Sequence, residues 1–413
     1  MIETKFKDSE LGLIPEDWSC GCFKDFLTYF SAGATPYRGN PSNFVGNIPW
    51  ISSGELNYDI ISDTNEHISI NALKSTHLTL HEKGTFLIAI TGLEAAGTRG
   101  RCAFVGVPAA TNQSCLAIKS TEKLSTRYLF WYYRLWSNYL AFNFSQGSKQ
   151  QSFTAEIVKK LPLYAPTIDE QERIAEALSD VDALIKELDA LIEKKRMVLK
   201  ATMQDLLTAR HRLPGFSEPW QEVKLGELVN MNSGGTPSTS NHSYYSGIIP
   251  FLSISDISSA GKFLYKTQKH ISDDAVLNSS ARVFPKDTLL ISMYASIGKC
   301  IISKIDVAIS QAILGFVPKK NDFNTDYLYY TLLFNNKELI SSGQTGTQSN
   351  LNKRIVQNFS VSIPSDIAEQ TAISDIFSDM DAEIAELEKK KEKYTSIRQG
   401  MMQQLLTGKI RLI

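Results

Sequence analysis

The chain repeats itself at a period of about 200 residues, and no other feature limits its possible folds so sharply. The stretch "TMQDLLTARHRL" at 202–213 returns near the end as "GMMQQLLTGKIRL" at 400–412. Earlier segments answer each other in the same order. "GLIPEDW" ends at Trp18 and "PGFSEPW" at Trp220; "SAGATP" (31–36) faces "SGGTP" (233–237). "NIPWISSGEL" (47–56) faces "IIPFLSISDI" (248–257), and "TNEHIS" (64–69) faces "TQKHIS" (267–272). "TNQSCLAI" (111–118) matches "ISQAILGF" (309–316), and "YLFWYY" (128–133) matches "YLYYTL" (327–332). From Glu170 against Glu369 to Leu213 against Leu412 the offset is a constant 199. A period this long means duplicated domains rather than a solenoid. One part of each copy has drifted while the other has kept its length to the residue, which suggests a fixed spacer holding two readers of different things.

The constant parts read as long helices. Thr167 to Glu170 and Asp366 to Glu369 have capping-box spacing, each after a proline-bearing extended stretch. Behind them lie two apolar seams. The first is Ile174, Leu178, Val181, Ile185, Leu188 and Ile192, continuing to Leu199 and Leu206 with polar breaks at Lys195 and Thr202. The second is Ile373, Phe377, Met380, Ile384, Leu387 and Tyr394, continuing to Met401 and Leu405 with breaks at Lys391 and Arg398. Gly408 suits the residue just past a helix end.

Charge sets the direction of pairing. Residues 169–193 carry nine acids against Arg173 and Lys186, and 194–212 carry six bases against Asp205. Residues 369–388 carry seven acids and no base, and 389–411 seven bases against Glu392. A parallel pair would oppose like charges; an antiparallel intramolecular pair matches unlike charges along its whole length. The expected organisation is α+β: two globular domains (1–166 and 210–365) related by pseudo-two-fold symmetry, separated by an antiparallel coiled coil of two spacer helices (167–209 and 366–413). Forty helical residues span about 60 Å.

The variable parts mix short strand-like runs such as "GTFLIAI" and "DTLLISM" with Gly/Ser turns and one aromatic helix each, of which "RYLFWYYRLWSNYLAF" reads as core. Catalytic signatures are missing: "MYASIGK" lacks the leading glycine of a P-loop, GxGxxG and GxSxG do not occur, and neither does the Asn-Pro-Pro-aromatic motif of base-modifying methyltransferases. "EKK" at 193–195 lies on a helix seam with no aspartate partner nearby. Five cysteines without a CxxC pair argue against a disulfide framework or a zinc knuckle. His77 and His81 have i, i+4 spacing without a glutamate between them, so no metal site is expected. No apolar run reaches membrane-spanning length and "MIETKFKDSELG" has no signal-peptide core, so a cytoplasmic chain without membrane contact is expected.

Polar, turn-rich stretches remain as candidate nucleic-acid contacts, and they recur at matching places. "SAGATPYRGN" and "NSGGTPSTSNHS", with Thr35, Arg38 and Thr236, offer amides and hydroxyls to phosphate, and Ser53, Ser253 and Ser255 follow the "IPW/IPF" stretches. Thr91, Arg99 and Arg101 lie in one copy's loop; Tyr294, Ser296 and Lys299 lie in the other's. Lys149, Gln150 and Gln151 in "GSKQQSF" answer Gln348, Asn350, Lys353 and Arg354 in "GQTGTQSNLNKR". Arg, Gln and Asn are the side chains that read guanine and adenine edges in the major groove. The net charge of -1 predicts modest DNA affinity for the chain alone.

These residues together resemble the specificity (S) subunit of type I restriction–modification systems. The resemblance is carried by "GATP/GGTP", "IPW/IPF", the Gln of "NQ/SQ", the "GS…Q" and "GTQ" loops, and the "EQ…I" helices ending in "LLT", and it covers essentially the whole chain. It implies a non-catalytic subunit whose two target recognition domains each bind half of an asymmetric bipartite site in double-stranded DNA. It further implies helices that set the spacer and dock two modification (M) subunits. Those would carry S-adenosylmethionine and methylate adenine N6, and restriction (R) subunits would cut with ATP and Mg; no cofactor is expected in this chain. The runner-up is an S-like subunit of a related or orphan adenine methyltransferase system without R. "TGLEAAGTRG" departs from the family-like "MYASIGK" of the second copy and suggests a longer loop there.

Overall fold

The computed structural model describes residues 5–320, 323–345, 348, 349 and 351–413, with main chain alone at Gln344–Thr345 and Gln348–Ser349. The chain divides into two compact units: Met1–Asp189 with Lys390–Ile413, and Ala190–Lys389. Each unit holds one globular region and a stretch of both long helices.

In the first unit a five-stranded sheet is built from β1 (Leu27–Ala32), β3 (Ile60–Ile61), β5 (Phe86–Ala89), β6 (Cys102–Val105) and β8 (Cys115–Ser120), in the order β1-β8-β5-β6-β3. A second sheet joins β2 (Ile48–Ile51), β4 (His67–Ile68) and β7 (Ala110–Thr111), in the order β7-β2-β4. The near-continuous apolar runs of β5 and β8 fit strands covered on both faces. Helix α1 (Thr126–Phe144), capped by the Ser125 hydroxyl, buries Tyr128 to Tyr133 in the core, so its aromatic residues are packing rather than a platform for bases.

The second unit repeats this plan. Its five-stranded sheet has β9 (Val229–Ser233), β11 (Phe263–Leu264), β14 (Leu289–Ser292), β15 (Cys300–Ser303) and β17 (Ile313–Pro318) in the order β9-β17-β14-β15-β11. That is the same order of equivalent strands. The smaller sheet gains a strand: β12 (Lys269–Ile271), β10 (Ile249–Leu252), β16 (Val307–Ile309) and β13 (Arg282–Phe284) lie side by side. Helix α3 (Thr325–Phe334) takes the place of α1.

The long helices are α2 (Ile168–Leu207) and α4 (Ile367–Leu405). Of the seam residues, Ile174, Leu178, Ile185, Leu188, Ile192, Ile373, Phe377 and Ile384 are buried; Val181, Met380, Leu387 and Tyr394 are half-buried. In the first unit Ile174, Ala175 and Leu178 of α2 share a core with Met402, Leu405 and Leu406, together with Trp18, Trp131 and Tyr164 of the globular part. In the second, Met203, Leu206 and Leu207 meet Ile373 and Phe377 over Leu225, Tyr327 and Tyr330. Burying each such side chain contributes about 1.5–3 kcal/mol.

Within each unit the helices run antiparallel, as the charge blocks require. In the first, Glu170, Asp182 and Asp189 pair with Arg411, Arg398 and Lys391, so numbers rise on one helix as they fall on the other. In the second, Lys195, Arg196 and Arg212 pair with Glu383, Glu388 and Glu369. Three of the polar breaks in the seams, Lys195, Lys391 and Arg398, are therefore the side chains that bridge to the other helix. The glutamate of each capping-box spacing is used in the same way. The Glu170 carboxylate accepts from Arg411 Nε and Nη2, both at 2.8 Å, and Glu369 accepts from Arg212 at 2.7 and 2.8 Å. Both helices then stop on a left-handed residue at equivalent positions, Ala209 (φ 55°) and Gly408 (φ 69°). Glycine is the natural choice there and alanine the strained one.

The neighbouring glutamines bolt helix to globular part. Gln171 is fully buried; its Oε1 accepts from Ser125 N at 2.8 Å and its Nε2 donates to Lys123 O and Pro166 O at 3.0 and 2.9 Å. Gln370 does the same with Asn324 N and Pro364 O. Gln171→Ala strands those main-chain groups, at about 1–3 kcal/mol for a buried group left without its partner. It should lower the melting temperature of the full chain by about 2 °C or more, measured by calorimetry; a shift within about 1 °C would contradict this role.

Candidate nucleic-acid interface

The strand directions bring the candidate loops to one end of each five-stranded sheet. In the first unit Ala32 lies opposite Leu116, Ala89 opposite Cys115, and Ile88 opposite Cys102. The end of β1, the start of β8, the end of β5 and the start of β6 are thus neighbours, and the loops 33–38, 112–114 and 90–101 emerge together. The parallel pairing of β2 with β7 adds the turn at Ser53–Glu55, tied by Asn112 N donating to Ile51 O at 2.9 Å. Loop 145–153 is tied in by a bridge between Thr91 and Ser152 and by Leu93 N donating to Gln151 O at 3.0 Å.

The second unit assembles the same set. Ser233 faces Leu314, Ser292 faces Ile313 and Ile291 faces Cys300. Ser310 N donates to Leu252 O at 3.2 Å, Met293 N to Ala312 O at 2.8 Å, and Leu351 N to Met293 O at 3.2 Å. The loop 293–299 is shorter than its counterpart 90–101, as the departure in sequence suggested.

The "GxTP" motif has a steric reason. A Cβ on Gly33 would lie 1.9 Å from Thr111 O, and one on Gly234 1.7 Å from Ile309 O, so only glycine lets the chain press against the neighbouring strand end. That approach sets Thr35 beside Gln113 and Thr236 beside Gln311; in both units the hydroxyl donates to the glutamine Oε1. Gln113 and Gln311 are exposed. Their place in "NQ/SQ" marked them as repeated residues, but only the fold shows that each meets the threonine of "GxTP".

Several candidates already have work within the domain. Arg101 Nη1 donates to Gly54 O at 2.6 Å, and the equivalent Lys299 Nζ donates to Ser258 O at 2.8 Å; each clips its own loop, 90–101 or 293–299, to the short helical segment after "IPW/IPF". Arg38 forms a bidentate pair with Glu66 (2.5 and 2.8 Å) and sits 4.5 Å above the Phe44 ring, holding the Glu66 carboxyl below its usual range. Arg99 lies 4.3 Å over Phe142, with its Nε buried and without a hydrogen-bond partner among the described residues. Ser253 Oγ bonds Asp256 at 2.6 Å and Ser255 at 2.8 Å, while Ser53 opens the turn that Ser52 caps through Glu55.

Others stand free or nearly so. Tyr294 is exposed at the tip where Ala295 and Ser296 adopt left-handed backbone, braced by Ser292 Oγ donating to Tyr294 O at 2.6 Å and by Ser296 meeting Ser258. Lys149, Gln150 and Arg354 are exposed; Gln151 N donates to Glu94; Lys353 Nζ reaches Asn232 Oδ1 at 3.4 Å. Gln348 lies on a short strand paired with Gln344–Thr345, while its side chain and Asn350 lie outside the described residues.

Among the described residues no group of three or more His, Cys, Asp or Glu is placed to hold an ion, and all five cysteines are free. His77 and His81 do not share a helix; His77 is an exposed left-handed residue, and burial pushes the His81 imidazole down to about 4. Glu193 and Lys195 are taken up in ion pairs with Arg196 and Glu383. No helix among the described residues is long and apolar enough to cross a membrane.

Comparison with known proteins places this geometry. Residues 15–194 and 217–394 both match the model of the type I restriction modification DNA specificity domain. The type I restriction enzyme MjaVIII specificity subunit of Methanocaldococcus jannaschii is 25% identical over 99% of this chain and 97% of its own length. The EcoR124I/EcoR124II specificity subunit of Escherichia coli is 24% identical over 64% of this chain and 66% of its own. The crystal structure of a type I S subunit from M. genitalium has the same fold, with a TM-score of 0.62 at 16% identity over 98% of this chain and 99% of that one. With that domain matched twice over most of its length, the chain belongs to the type I restriction modification DNA specificity family.

Proposed function

We propose that this chain is the DNA-specificity subunit of a type I restriction–modification complex. Each loop-bearing sheet end reads one half of an asymmetric bipartite site, and α2 and α4 set the number of base pairs between the halves. The reading rests above all on one observation: the two units share a scaffold down to the Thr–Gln pair and the loop clip, yet carry unlike tips. One tip is the long loop 90–101, the other a short loop, 293–299, with Tyr294 exposed at its apex. Like scaffolds with unlike tips suit two readers of different sequences, and two different readers make the site non-palindromic.

Methylation and cleavage are assigned to partners. Two M subunits dock on the helices and methylate adenine N6 with S-adenosylmethionine; R subunits, with ATP and Mg, cut. The exposed tips, Lys149, Gln150 and Arg354 included, supply base and phosphate contacts, and the M subunits add phosphate contacts that a chain of net charge -1 lacks. The complex acts on DNA in the cytoplasm.

Mapping methylated adenines across a genome that expresses the chain with its M subunits tests this. Replacing residues 1–166 by the corresponding domain of another specificity subunit should change one half of the mapped site and leave the other half and the spacing intact. Inserting one heptad into both helices adds about 10 Å of helix and should lengthen the spacer by about 3 bp. A swap that alters both halves, or an insertion that leaves the spacing unchanged, would overturn the assignment.

A further inference from the structure

We infer that the Thr35–Gln113 and Thr236–Gln311 pairs are matched clamps for DNA backbone phosphate, one in each unit, contacting what the two half-sites have in common rather than what distinguishes them. The inference rests on the DNA-reading role proposed above and assigns these two glutamines a ligand class.

The first ground is chemical. A glutamine that reads adenine needs both ends of its amide: Nε2 donates to N7 while Oε1 accepts from the N6 amino group. Here Oε1 is already accepting from the threonine hydroxyl in both units. That bond fixes the amide plane and turns the NH₂ away from threonine; Nε2 makes no hydrogen bond among the described residues. A hydroxyl donating to an amide oxygen also polarises the amide, strengthening its N–H groups as donors. What remains is an amide held in one orientation on an exposed side chain, with its Nε2 aimed outward to donate, and the natural partner of such a fixed donor is an anionic acceptor oxygen.

The second ground is the duplication. The tips around the pairs diverge: Tyr37 and Arg38 stand where the other unit has Ser238 and Thr239, and loop 90–101 differs from 293–299 in length and charge. The pair itself is the same in both, and so is the glycine whose missing Cβ allows it. A residue kept identical in two readers of unlike sequence is poorly suited to telling those sequences apart. The sugar–phosphate backbone is the feature every half-site offers in the same geometry.

The third ground is position. Each pair sits where the end of the first sheet strand meets the turn before the last, at the centre of the loop cluster: Ile90 N donates to Ser114 O at 2.9 Å, and Ala34 N to Thr111 O at 3.1 Å. A contact made there fixes how the tips are presented to the groove.

The test uses the full chain in complex with its M subunits, with labelled duplexes carrying the mapped site or single-base-pair changes in it. Gln113→Glu keeps the shape, puts a negative charge where phosphate is expected, and removes the donor; Gln113→Leu removes the donor without the charge. Both should weaken binding to every duplex by the same factor, about tenfold or more for Gln113→Glu. The mapped methylation sequence should not change, and Gln311→Glu should behave alike. Thr35→Ser, which keeps the hydroxyl, should bind as the parent does, and Thr35→Val more weakly. A loss seen on every duplex except those already changed at one base pair, with a relaxed methylation sequence there, would make Gln113 a base reader and overturn the inference. So would unchanged affinity in both Gln113 variants, which would make the pair a loop brace only. Failure of the parent complex to bind any duplex would instead refute the DNA-reading role itself.

Discussion

The structure hangs on a bidentate ion pair that appears once in each unit. Arg411, near the chain's end, grips Glu170 at the start of α2; Arg212, just past the end of α2, grips Glu369 at the start of α4. Glu170 and Glu369 are 3% and 1% exposed, so neither carboxylate could be left charged without its arginine. Each arginine has a further tie that orients it: Asp17 holds Arg411 at 2.9 and 2.7 Å, and the Glu218 carbonyl holds Arg212 at 3.0 Å. The planar guanidinium fork suits this work, since a lysine ammonium cannot meet two carboxylate oxygens in fixed geometry. The repeated "…RL" ending and the repeated "EQ" beginning are two halves of one fastening, made once in each unit.

Beside that fastening the two units solve one local problem differently. Asp182 and Asp381 occupy equivalent places on the long helices, next to Ser179 and Ser378. In the first unit Asp182 meets Arg398 of the other helix, Lys186 on its own helix, and Arg134, whose guanidinium lies 4.7 Å over Trp131. In the second unit Asp381 accepts from the Tyr330 hydroxyl at 2.6 Å, and Lys262 supplies the cation, 4.4 Å over the Tyr330 ring and bonded to Ser378 and Asp326. Lys262 occupies the position of Asp59, which in the first unit pairs with Lys186 instead. Charges were exchanged between copies while the join between globular part and helix was kept. The recognition surfaces show the same rule at larger scale, with scaffold contacts repeated and tips free to vary.

How far the residues alone could carry the reading depended on the range of the interactions. The helices and their direction were legible because periodicity and charge blocks are properties of contiguous sequence, and a block of nine acids facing a block of seven bases leaves little choice. The aromatic helix was legible as core for the same reason. The loops were not. Thr35 and Gln113 are 78 residues apart, and nothing local says that a glycine two residues before the threonine permits their contact. Arg101 and Lys299 read as candidate DNA contacts, and nothing in the sequence shows that they donate to main-chain carbonyls 47 and 41 residues away. Arg38 looked free and is stacked and paired. A basic side chain in a turn-rich loop carries no mark in sequence of whether its partner lies inside the domain or outside it.

The most direct measurement of the central claim is a double-mutant cycle across each fastening, with Glu170→Ala, Arg411→Ala and the pair together, and likewise Glu369→Ala, Arg212→Ala and their pair, followed by chemical denaturation of the full chain. The account predicts that either single change is strongly destabilising and that the second then costs little more, a coupling of about 2 kcal/mol or above at both sites. Additive losses, within about 0.5 kcal/mol of the sum of the singles, would mean that the helix ends do not meet and that the antiparallel fastening is wrong.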